Sequence, residues 1–273
     1  MKKTIITILT LAVIVCACGA VGYTYAHPDT ENKSIPTKAA VNLDNITPTD
    51  LFAELDENER NLLYLIVNTV SEYYEQGAPA KGTMVRIAED HGLVDDESYY
   101  RVCSQLCFYY GVYYEIWDYA SFYYGARHYL YVDMGVFCEM EGNRRAMMDT
   151  IDKAIAKFAD GTEEELVMQA CYCLSDTLSY NANQAAAVNA FNTKKGSCNA
   201  YSILMKLMLH RLGIPCDFVT GHTSSGGYHA WVQVRYSNGN VKYYDLTFYE
   251  STKNTKWLGA SETYHNLETI DVY

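Results

Sequence analysis

From Ser197 to Leu212 the chain reads as one apolar helix, closed by Gly213 with Pro215 just beyond, and three short strand signals follow at 216–221, 228–236 and 241–247. Asn238-Gly239 joins the last two, a hairpin turn because both residues tolerate positive φ. A helix that runs directly into a small antiparallel sheet predicts an α+β fold with the helix packed on that sheet.

Upstream the pattern is mostly helical. Leu62, Leu63, Ile66, Val70, Tyr73 and Tyr74 recur at three- and four-residue steps and predict a helix over 56–76, stopped at Gly77. A shorter helix is expected over 82–92 and another over 97–110. From Val112 to Val136 the chain is dense in Tyr, Trp, Ile and Val around Gly125, which predicts two strands or a hairpin. Helical spacing returns over 144–158 and stops at Gly161. Thr162 and Glu165 then form a Thr-x-x-Glu box, so a helix should start there and run to about Leu178. Residues 179–197 are mixed and polar, with one short helix expected at 183–190.

The N-terminus reads as an export signal. Lys2 and Lys3 precede an apolar run from Ile5 to Val15, too short for a full membrane span. Three endings are open: a lipobox that places a lipid on Cys18, cleavage after Thr24-Tyr25-Ala26, or retention of the stretch to Gly22 as an anchor. Residues 27–48 hold three of the five prolines and few large apolar side chains, the composition of a tether. The expected organisation is a signal or anchor at 1–26, a flexible linker at 27–48, a helical extension with a Tyr-rich β segment at 49–160, and a catalytic domain at 161–273. The protein is therefore expected to be a cell-surface lipoprotein or membrane-anchored, otherwise secreted.

A net charge of −12, with only 21 Lys and Arg, leaves no basic footprint for nucleic acid. Nine cysteines are present, two of them in the signal, so an odd seven remain. Cys103 and Cys107, and Cys171 and Cys173, lack the two-residue gaps and downstream partners of a zinc site and read as small buried hydrophobes. No cofactor or metal is expected.

Cys198 stands at the predicted start of the C-terminal helix, after Gly196 and Ser197. A helix N-terminus presents unpaired N–H groups and partial positive charge, a setting that favours the nucleophilic thiolate and can hold an oxyanion. His229 lies in the strand Tyr228-His229-Ala230-Trp231-Val232, where alternation puts it on one face with Trp231. Asp245 closes the neighbouring strand and is expected beside His229. Cys198, His229 and Asp245 thus form a candidate nucleophile, base and orienting acid.

Gly196-Ser-Cys198-Asn-Ala-Tyr201-Ser202, then Leu212-Gly213-Ile214-Pro215, Thr220-Gly221, His229-Ala230-Trp231 and Tyr244-Asp245-Leu246-Thr247 resemble, in order, the landmarks of the transglutaminase-like superfamily. The resemblance covers roughly 165–250, and Leu178-Ser179-Tyr180 resembles the short segment that precedes the Cys helix in bacterial members. It implies a papain-like core and Cys-dependent acyl transfer at amide bonds: hydrolysis, cross-linking or deamidation, with hydrolysis favoured. Peptides or proteins, cell-envelope peptides among them, are the implied substrates. A second oxyanion donor is left open among Tyr180, Asn181, Asn183 and Asn192. The other class of function is an inactive envelope protein that binds through its acidic, Tyr-rich surface. Tyr109-Tyr110, Tyr113-Tyr114 and Tyr123-Tyr124 would then form a stacking platform, or else simply cover a sheet face.

Overall fold

Asp56 starts the first helix. Its carboxylate accepts from the Glu59 N–H while Glu59 reaches back to the Asp56 N–H, a complete capping box. This helix, α1 (Glu57–Glu75), buries Leu62, Leu63, Ile66, Val67 and Val70 on one stripe. The computed structural model describes residues 55–89, 96–112, 120–123, 129–184, 186–223, 225–262 and 266–269. The expected signal and linker, residues 1–48, lie outside them.

The segment expected as a helix over 82–92 is instead strand β1 (Met84–Glu89). Short apolar runs suit either state, and pairing decides this one: β1 lies antiparallel to β3 (Tyr129–Asp133), which also pairs with β2 (Ala120–Tyr123). Between β1 and β2 runs α2 (Asp96–Tyr110). The next helix, α3 (Met134–Ile155), starts ten residues before the expected 144. Asp133 explains the difference. One of its oxygens caps the Val136 N–H at 3.2 Å and the other accepts from the Gly82 N–H at 2.7 Å, so the end of β3, the start of α3 and the turn before β1 meet at one side chain. Gly135 is required there, since a Cβ would fall 2.4 Å from the Ala80 carbonyl oxygen.

Glu141 is buried on α3 and paired with two arginines, Arg144 at 2.7 and 2.8 Å and Arg145 at 2.7 Å. Arg145 continues to Ser71 and Glu75 of α1. Removing one partner of a buried ionic group leaves the others desolvated and unpaired. Glu141→Ala is expected to lower stability by about 3–5 kcal/mol, read as a drop in the urea midpoint. A loss below about 1 kcal/mol would show that water replaces the carboxylate.

The C-terminal half is built as the sequence predicts in outline. The Thr162 capping box starts α4 (Glu163–Thr177). Strand β4 (Ser179–Tyr180), a short helix α5 (Ala190–Thr193) and strand β5 (Lys195–Gly196) then lead to α6 (Cys198–Arg211). All residues of α6 from Cys198 to Leu209 are buried, including Lys206, whose ammonium lies 5.3 Å from the Phe108 ring centre. A helix enclosed on every side forms the core's axis rather than a covering layer. It packs on β6 (Cys216–His222) and β7 (Tyr228–Arg235), and β8 (Val241–Tyr244) pairs with β7. The 236–240 loop carries positive φ only at Gly239, not at Asn238 as well. Helix α7 (Leu246–Thr252), β9 (Leu258–Ala260) and β10 (Asn266–Thr269) complete a five-stranded antiparallel sheet of order β10-β6-β7-β8-β9. The α+β class and papain-like core follow from this arrangement. The third strand signal, expected to run to 247, stops at Tyr244 because Asp245 turns the chain into α7.

Among the described residues, none of the seven cysteines from Cys103 to Cys216 forms a disulfide. Burial raises the thiol pKa of Cys103, Cys138, Cys171, Cys173 and Cys216, the last to about 12. Tyr109 and Tyr110 are buried in α2 and cannot belong to an exposed stacking platform. Tyr113, Tyr114 and Tyr124 lie outside the described residues, as does the side chain of Tyr123.

Candidate active site

Each member of the candidate site owes its place to a different local rule. Cys198 is the first residue of α6. Ser197 occupies the N-cap position, yet its hydroxyl makes no capping bond, and the first turn holds no acidic residue. By contrast, α1, α3 and α4 are all capped by side chains. The amides at the start of α6 are therefore left without a side-chain acceptor beside the thiol. The Ser197 hydroxyl and the Asn199 side-chain carbonyl, which flank Cys198, are buried and find no partner among the described residues.

His229 sits on β7, one face of which looks onto α6. Its Nε2 bonds Asp245 Oδ2 at 2.8 Å, and both side chains are buried. The charged carboxylate makes Nε2 the protonated nitrogen, which leaves Nδ1 with the lone pair. Stacking settles the ring plane. Trp231 lies parallel to it with centroids 5.9 Å apart, and Phe248 meets it edge-on at 5.1 Å. Trp231 is itself 1% exposed and so packs in the core. Burial alone would lower the pKa of His229. The hydrogen bonds to Asp245 and Cys198, with their charges, outweigh it and raise the group from 6.5 to about 9.

Asp245 holds two jobs. Oδ2 takes the histidine, while Oδ1 accepts from Thr247 Oγ1 at 2.9 Å and from the Phe248 N–H at 3.0 Å, which caps α7. Its own N–H donates to the Trp257 carbonyl. The carboxylate is thus locked in rotation by the helix it starts. Thr247 and Phe248 were not singled out in the sequence as site residues. The cue was available, because an acid two and three residues before them is an ordinary N-cap pattern.

The structure brings Cys198, His229 and Asp245 together across α6, β7 and the β8–α7 junction. Tyr180 joins them. It is 48% exposed, and the charges of Cys198 and Asp245 add to burial in raising its phenol pKa. Its neighbour Asn181 donates to the Gly196 carbonyl through its backbone, whereas Asn183 bonds the Asn181 side chain. Asn192 lies on α5 and is exposed.

A helix-borne Cys, a strand-borne His and an Asp one strand over coincide with a match of residues 150–257 to the transglutaminase-like superfamily. This segment is a transglutaminase-like domain. No curated protein matches the chain. Among solved structures, a proposed cysteine protease from Cytophaga hutchinsonii is 17% identical over 38% of this chain and 37% of its own, with a TM-score of 0.32. A TGase is 17% identical over 55% and 49%, with a TM-score of 0.36. The periplasmic domain of TgpA from Pseudomonas aeruginosa, bound to ethylmercury, is 20% identical over 45% and 56%, with a TM-score of 0.33. The chain thus spans between 37% and 56% of the length of these three chains. The transglutaminase-like domain begins inside α3, so the helices and small sheet before it are outside the matched segment.

Proposed function

We propose that the protein is an exported cysteine enzyme that transfers acyl groups from amide bonds of peptides or proteins, with hydrolysis as its main outcome. The observation that carries this reading is the buried 2.8 Å His229–Asp245 pair, close enough to Cys198 at the start of α6 for that thiol to help raise the histidine's pKa. In the proposed reaction Nδ1 of His229 takes the Cys198 proton. The sulfur attacks the amide carbonyl carbon, and first-turn N–H groups of α6 hold the developing oxyanion. His229 returns the proton to the leaving nitrogen, the C–N bond breaks, and a thioester remains. Water, deprotonated by His229, then releases the acid and restores the thiol; an amine in its place would give transfer. Export by the N-terminal segment, with a lipid or anchor holding the domain at the membrane, supplies envelope or surface peptides as substrates.

Alkylation of the full chain by iodoacetamide, mapped peptide by peptide, tests the pair directly. At pH 7 Cys198 is expected to react about tenfold or more faster than the other thiols, whose pKa values burial raises. In His229→Ala the excess should disappear. Equal labelling of all sites, unchanged by that substitution, would turn the reading to a non-catalytic binding protein.

A further inference from the structure

Strand β4 has an unused edge beside the nucleophile. Ser179 donates its N–H to the Lys194 carbonyl at 3.0 Å, and Asn181 donates to Gly196 at 2.9 Å, in parallel register with Tyr180 opposite Gly196. Backbone groups alternate along a strand. With residues 179 and 181 turned toward β5, the N–H and C=O of Tyr180 face the other way. Among the described residues β5 is the strand that pairs with β4, and no backbone bond from outside the strands reaches either group. Gly196 is two residues before Cys198, and paired strands lie about 4.8 Å apart, so this open pair of backbone groups lies on the strand beside the one that leads into the nucleophile. The half-exposed Tyr180 ring stands over the same ground, near enough for the Cys198 charge to raise its pKa.

We propose that the acyl donor is an extended peptide segment that adds to β4 as a third strand, held by two backbone hydrogen bonds to Tyr180. One donor and one acceptor on a single residue match one residue of an extended chain. The Tyr180 ring packs along the chain without demanding a particular side chain. The inference rests on Cys198 being the nucleophile proposed above.

The test is the rate at which acetyl-tetraalanyl chloromethyl ketone alkylates Cys198 in the full chain. The sulfur displaces chloride and forms a thioether. A set of probes, each N-methylated at one alanine, scans the backbone. Methylation at the paired residue is expected to slow labelling roughly tenfold, since a hydrogen bond is lost and a methyl group is forced against the strand. Methylation at either neighbour should leave the rate within about twofold. Tyr180→Pro, which removes the N–H without touching a bond to β5, should be slower toward the peptide probe than Tyr180→Ala. A flat scan, with equal rates for the two variants, would overturn the inference. Iodoacetamide on the same samples separates the two readings. If its His229-dependent rate persists while the scan is flat, strand addition alone fails; if that dependence is absent, the catalytic reading fails with it.

Discussion

Cys198→Ala is expected to abolish turnover of a peptide anilide, and His229→Ala to reduce it by about 10³-fold or more. Nucleophile and base act as one unit, so the double variant should be no worse than the worse single one. The fold should survive both changes. Cys198 contributes only a small thiol to the end of an otherwise closed helix, and His229→Ala leaves Trp231 and Phe248 packed around a small gap. Amine release and thermal melting, measured on the same preparations, separate the effects. Turnover retained in Cys198→Ala would place the chemistry elsewhere.

The second large effect is Asp245→Asn. Asparagine caps α7 as well as aspartate does, accepting from Phe248 and Thr247 through its carbonyl. Its amide nitrogen, however, would face His229 Nε2 and force the proton onto Nδ1. That tautomer cannot accept a proton from Cys198, and the analogous change in serine proteases costs about 10⁴-fold. A loss of about 10³–10⁴-fold in kcat with little change in melting at pH 9 or above is therefore expected. Asp245→Ala should lose the same activity and, in addition, about 1 kcal/mol of helix capping.

Stability should follow pH with a definite sign. The folded pKa of His229 is raised to about 9 from an unfolded 6.5. Folding therefore gains its full contribution below pH 6.5 and loses it as pH rises through 9. Asp245→Asn should melt earlier than wild type at pH 6, and the gap should close toward pH 9. A gap independent of pH would mean that Asp245 acts only as a helix cap.

Much of this was legible in the residues themselves. The capping pair Thr162/Glu165 is complete within four residues, and local hydrogen bonds need no distant partner, so α4 begins where the pattern places it. The spacing-two rule set His229 and Trp231 on one face, and their rings stack. The ordered landmarks around Cys198, His229 and Asp245 pointed to the transglutaminase-like core because each occupies the end of an element that short-range chemistry already defines.

What only the tertiary structure decided lies where local preference is weak or the partner is remote. Residues 84–89 suit helix or strand, and pairing with β3, forty or more residues away, made them a strand. Asp133 started α3 early because Gly82 completes its carboxylate. The tyrosines at 109 and 110 were drawn inside by the helix face they share with the core, a choice that their amphipathic side chains leave open. Most telling is Tyr180. A two-residue parallel bridge to Gly196 has no signature in composition or period, yet it sets a half-exposed ring on the strand beside the one that leads into Cys198. Sequence near a site specifies its chemical groups through short-range bonds; which backbone runs past them depends on chain closure over many residues, and only the folded packing determines that.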